Sequence, residues 1–149
     1  LTHIPLLVFM PGQTERIDFH SLTATIDVMP TLLRLAGKTI PDWVEGDVLP
    51  PFNPNPDPDK LVFGIDLRHN PKESPFTNGT GMVCYGDYKL THIFGSEAKY
   101  EPLSGEMYEF YNLAEDPEEL NNLHTKLPDI EDELMMVLDK GIKAVESSA

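Results

Sequence analysis

A single cysteine, Cys84, is all the thiol this 149-residue sequence holds. One cysteine builds neither a disulfide framework nor a zinc site within one chain. Its place in an alternating apolar run reads as a buried structural thiol. Positive charge is scarce as well: 11 lysines and arginines stand against 25 aspartates and glutamates, for a formal charge of −14. That balance disfavours duplex nucleic acid and anionic membrane surfaces as partners. The acidic residues after Glu97 lie among apolar positions at helical spacing, as on solvated helix faces. No apolar run nears the roughly 20 residues a membrane-spanning helix needs. Leu1 rather than a methionine opens the sequence, so the lack of a targeting leader carries no information. A Gly-rich phosphate loop, a Gly-x-Ser-x-Gly elbow and a His-Glu-x-x-His helix are all missing. No reaction centre shows from spacing alone, and nothing in the chain asks for a cofactor or metal of its own.

What is present reads as an ordered series of elements. Ile4-Pro-Leu-Leu-Val-Phe-Met10 is nearly continuous apolar sequence, the pattern of a strand covered on both faces. Pro11-Gly12 ends it as a turn, and Ile17–Thr25 reads as a short extended piece. Asp27 to Gly37 reads as a complete helix. It has an acidic N-cap, Pro30 in the first turn, a buried stripe of Met29, Leu32, Leu33 and Ala36, and a glycine stop. Lys38–Lys60 is a proline-rich loop long enough to be a crossover between subdomains. The boundary falls near Asp57–Lys60. Leu61–Leu67, Gly81–Tyr85, Tyr88–Phe94 and Met107–Leu113 are strand candidates, the middle two flanking a Gly86-Asp87 hairpin signal. They predict a small antiparallel sheet. Asp116-Pro117 predicts a short helix through His124. A last helix is expected from Pro128 or Asp129, with Ile130, Leu134, Val137, Leu138, Ile142 and Val145 facing the sheet.

Candidate functional residues are few. Asp66-Leu-Arg-His69 places a carboxylate, a guanidinium and an imidazole just past a strand end. Arg68 and His69 are suited to holding a sulfate, phosphate or carboxylate; equally, these charges face water from a loop. The other histidines, His3, His20, His92 and His124, are scattered. Asn78-Gly-Thr80 fits a glycosylation acceptor and also a turn. Trp43 fits a binding rim or an aromatic pinned to the core. Tyr108, Phe110 and Tyr111 read as core, and the acidic run Asp129–Glu133 as helix-start electrostatics.

Four segments, in order, resemble the type I sulfatases of the alkaline phosphatase superfamily. His3-Ile-Pro-Leu-Leu-Val-Phe-Met-Pro-Gly12 resembles the family's R-V-P-L-I-V-…-P-G strand. Ile26-Asp-Val-Met-Pro-Thr-Leu-Leu-Arg-Leu-Ala-Gly37 resembles its (V/I)-D-(L/I)-x-P-T-L-L-x-L-A-G helix. Gly86-Asp-Tyr-Lys-Leu90 resembles G-x-(Y/W)-K-(L/Y), and Met107–Leu123 resembles L-Y-D-L-x-x-D-P-x-E-x-x-N-L with extra residues. His3 replaces a frequent arginine, and Gly46-Asp-Val-Leu-Pro50 follows G-x-S-L-x-P only loosely.

The resemblance implies an α/β (α+β) architecture. Residues 1–58 would be the last strand and helix of a large α/β domain plus the crossover loop. Residues 59–149 would be a small four-stranded antiparallel sheet packed by a C-terminal helix. It implies the C-terminal portion of a sulfuric ester hydrolase that walls the substrate cleft and is inactive alone. The formylglycine, made from Cys/Ser-x-Pro-x-Arg, and the calcium site would lie upstream; Cys84-Tyr-Gly-Asp-Tyr88 does not fit the former. Implied partners are that N-terminal catalytic portion and a sulfate-ester substrate, with self-association through Ile4–Met10 as a further expectation. The family leans towards exported or lysosomal enzymes. The alternatives are the same region of a phosphate or phosphonate ester hydrolase, or a stand-alone binding or assembly module.

Overall fold

Alternating apolar and polar residues put β1 (Leu61–Leu67), β2 (Gly79–Tyr85), β3 (Tyr88–Phe94) and β4 (Met107–Asn112) into one antiparallel sheet of order β1-β2-β3-β4. This is a computed structural model, and it describes residues 4–67, 76–95 and 106–148. Register follows the side-chain period. Val83 lies opposite Leu90, and Leu90 opposite Phe110, so one face carries a continuous apolar row. Helix α2 (Pro128–Ser148) covers that row with Leu134 and Leu138. These five side chains are at most 2% exposed and form the core. The helix rides directly over Gly81, where a Cβ would stand 3.0 Å from Ile142 Cδ1 and 3.2 Å from Leu138 Cδ1. All four expected strands and the last helix are where the patterning places them.

Helix α1 (Val28–Leu35) follows a single 3₁₀ turn, Thr25–Asp27. Its end is a full left-handed cap. Gly37 (φ +65°) donates to Arg34 O at 3.0 Å, and Lys38 N donates to Leu33 O at 2.8 Å. The expected buried stripe, however, is open among the described residues: Met29 is 45% and Leu32 61% exposed.

Two expected elements are absent. Ile4–Met10 forms no strand, and Leu7 and Phe9 are 78% and 87% exposed. A strand is held by ladder bonds to a neighbour, and no described strand runs beside this segment. Its turn does form, with Gln13 N donating to Met10 O. The segment Asp116–His124 is not a helix. The Asp116 carboxylate accepts the N–H groups of Leu120 and Asn121, four and five residues on, beyond the second and third residues that an N-cap serves. Glu119 then takes φ 57°, a left-handed value that stops helical propagation. The chain instead lies along β4, where Leu123 N donates to Phe110 O and Phe110 N to Asn122 Oδ1. The free edge of β4 is thereby covered.

Candidate functional site

Close backbone approach sets the geometry here. Gly46 packs so tightly on the end of the 3₁₀ turn that a Cβ would lie 2.2 Å from Ile26 O. Only glycine fits. The contact delivers Asp47 N to Asp27 Oδ1 at 2.9 Å. Two residues on, Leu49 N donates to Thr31 Oγ1 at 2.8 Å, and that hydroxyl donates to Asp27 O at 2.7 Å. Asp27 and Thr31 therefore bind the proline-rich loop to the helix start.

The Asp27 carboxylate is 1% exposed. Besides Asp47 N–H it accepts from Ala24 N–H at 2.8 Å and from Lys60 Nζ at 2.7 Å. Lys60, one residue before β1, also reaches Asp47 Oδ2 at 3.0 Å. Burial alone would lower the Lys60 pKa, but the hydrogen bonds and charge of Asp27 and Asp47 outweigh it, and the pKa is raised. This polar clasp joins the helix start to the first strand of the sheet. It floors a 640 Å³ cleft lined also by His20, Asn53, Asp57 and Asp87.

A second buried ion pair fixes the other end of the resemblance. Lys89, on the face of β3 away from α2, is 7% exposed and lies 2.5 Å from Glu119. Glu119 belongs to the segment expected to be helical. Its left-handed backbone turns the carboxylate onto β3, a use the sequence did not announce. Nearby Cys84 is a buried free thiol, its pKa pushed up by burial.

Calcium and a formylglycine do not fit the described residues. Among them no group of three or more His, Cys, Asp or Glu side chains is placed to hold a metal. The Asp27 and Asp47 carboxylates are both engaged by the Lys60 ammonium. Cys84 is enclosed in β2 with its sulfur 4.0 Å from Met82 Sδ.

Arg68 and His69 fall outside the described residues. They follow Leu67, whereas the cleft lies near Gly86 and Asp87 at the Leu61 end of β1. Seven strand residues separate those ends by roughly 20 Å. Trp43 is 70% exposed rather than pinned to the core. Asn78 stands just before β2, its Nδ2 donating to Gly95 O at 2.6 Å across the strand ends, and Gly79 is a strand residue, not a positive-φ turn glycine. Glu131 does more than complement a helix dipole. Only 3% exposed, it accepts Thr125 N–H and pairs with the His124 ring, closing the loop before α2. Asp27, Asp47 and Lys60 escaped sequence reasoning as a unit. The available signal was a lysine directly before a strand, matched by an aspartate at a helix start.

Comparisons with known proteins supply a family and a likeness of fold. Residues 2–147 match the family described as N-sulphoglucosamine sulphohydrolase, C-terminal. Arylsulfatase K of Rattus norvegicus is 28% identical over 131 residues, covering 86% of this chain and 22% of that protein. Arylsulfatase K of Homo sapiens is 26% identical over 128 residues, covering 86% and 23%. The chain thus spans about a quarter or less of the length of these curated relatives. The solved structure of BT4656, in complex with its substrate D-glucosamine-2-N,6-O-disulfate, superposes with a TM-score of 0.55 at 24% identity. It covers 81% of this chain and 24% of that one, a likeness of fold.

Proposed function

The chain belongs to the sulfatase family, as its C-terminal region, and from that premise we propose that it supports and walls the substrate cleft of a sulfuric ester hydrolase. The observation that carries this reading is the family match over residues 2–147. The geometry adds a reason. The motif residues Asp27, Gly46, Lys89 and Glu119 are spent on buried clasps, not on a reaction centre. Chemistry then belongs to a catalytic portion of the same polypeptide, which holds the formylglycine and calcium.

That portion is the partner for the open apolar side chains. Leu6, Leu7, Val8 and Phe9 are four consecutive exposed apolar residues, and Met29 and Leu32 are exposed on α1. Packed on the large domain, Ile4–Met10 gains strand neighbours. Where that domain is lacking, the same surface associates with a second copy.

The substrate is a sulfate ester, and the relatives' names make sulfated glucosamine the first compound to try. A chain of charge −14 repels such an anion unless local cations meet it. Arg68 and His69 are assigned that role. In the full-length protein, an aryl sulfate and sulfated glucosamine are hydrolysed and the matching phosphate ester is not. Alanine at both Arg68 and His69 raises KM about tenfold or more with a smaller change in kcat, as lost ground-state binding should. Preference for the phosphate ester would favour the phosphohydrolase alternative, and unchanged kinetics on every accepted substrate would remove the two residues from the site.

A further inference from the structure

His92 lies at the centre of β3 on the face that α2 covers, opposite Gly81 of β2 and Tyr108 of β4. It is 8% exposed, and neither ring nitrogen has a hydrogen-bond partner among the described residues. A buried imidazole ordinarily bonds at least one nitrogen, because a polar atom stripped of water and left unpaired is costly. Aromatic packing holds the ring here. Tyr108 stacks on it at 4.3 Å and 12°, and Phe94 flanks it at 5.3 Å. Tyr108 in turn stacks on His124 at 5.4 Å, and Glu131 at the start of α2 grips His124. One column of rings thus runs from β3 through β4 and the loop after it to the helix.

Burial without a hydrogen-bond partner, rather than the stacking itself, disfavours an imidazolium here. Among the described residues, the charged groups that face His92 are Glu106, just before β4, and Asp139 on α2. Tyr108 faces it too, but its pKa is pushed up to about 12 by burial and the Glu106 charge, so its hydroxyl stays neutral. Gly81 brings no charge from β2. Glu106 Oε2 lies 3.8 Å from Nε2, too far for a hydrogen bond, on a side chain 65% exposed. A protonated ring has one near exit: rotation out of the stack towards that carboxylate.

We propose that His92 is an acid-triggered latch: when the ring takes a proton it leaves the Phe94–Tyr108 stack for Glu106 and releases β4 with the segment along its edge. The segment released carries Asn122 and Leu123, which bond to Phe110 and Tyr108 on β4. Burial lowers the His92 pKa more than Glu106 and Asp139 raise it. The unfolded chain therefore binds the proton first. Stability is complete above 6.5, the ordinary histidine value, and is lost as pH falls through that value towards the lower folded one. The latch does not depend on the enzymatic reading above.

Hydrogen exchange on the full-length protein tests it, at about pH 7.5 and about pH 5, each corrected for intrinsic exchange rates. Peptides over 107–112 and 119–124 should lose about tenfold in protection at the acid pH, one unit of proton linkage, while 61–67 holds. His92→Phe keeps the stack and should abolish the loss. Glu106→Gln changes an exposed side chain, folds regardless, and should move the loss to lower pH. Equal loss across all strands, an acid loss that persists in His92→Phe, or an unmoved midpoint in Glu106→Gln would each overturn the proposal.

Discussion

Replacing Asp27 with alanine should lower stability by about 3 kcal/mol, the lower end of the range for removing one partner of a buried ion pair. The carboxylate is 1% exposed and serves three donors: Ala24 N–H, Asp47 N–H and Lys60 Nζ. Its loss strands the N–H of half-buried Ala24, costing on the order of 1–3 kcal/mol, and that of Asp47, which water can reach more easily. Lys60 limits the damage, because it keeps Asp47 and is 17% exposed to water. The loss should change little between low and high salt, since buried charges are poorly screened. Asp18→Ala is the control. It breaks the exposed Arg16–Asp18 pair, 2.8 Å long at side chains 85% and 53% exposed, and should leave the denaturation midpoint unmoved. A midpoint as insensitive to Asp27→Ala as to Asp18→Ala would mean the clasp holds nothing.

Phe110→Ala should cost about 3–5 kcal/mol, the usual range for emptying a buried phenylalanine site. Phe110 is fully buried, opposite Leu90, and its ring packs 5.5 Å from that of Tyr88. Its backbone is also committed, donating to Asn122 Oδ1 and accepting from Leu123 N–H. The surrounding strand cannot collapse freely into the gap. Urea denaturation of the variant should show a lower midpoint with an unchanged slope. Leu120→Ala, at a side chain 79% exposed, should shift neither. A loss below about 1 kcal/mol at Phe110 would contradict the assigned core.

The sheet was legible because its strands alternate and its turn is marked. Leu61–Leu67 and Tyr88–Phe94 begin and end where their patterns do. The C-terminal helix was legible from its stripe, of which Leu134 and Leu138 reach full burial. Asp116-Pro117-Glu-Glu misled for a physical reason: a helix cap accepts N–H groups two or three residues on, whereas the Asp116 carboxylate accepts those four and five residues on and so closes a loop. What separated the two was the left-handed Glu119, drawn to Lys89 across 30 residues of sequence. Ile4–Met10 reads as a strand by composition, but composition describes faces, and a strand also needs edges. Asp27 was read as a helix cap, and its long-range partners were invisible because Asp47 and Lys60 approach through loop geometry. The pair Arg68 and His69 rests on sequence and resemblance, outside the described residues.

On the proposed reading, this chain supplies scaffold and cleft wall while the chemistry belongs elsewhere in the polypeptide. The most direct test of that reading is the initial rate of sulfate release from an aryl sulfate by the purified 149-residue chain in calcium buffer. No release above buffer is expected. Turnover proportional to the concentration of that chain would contradict it.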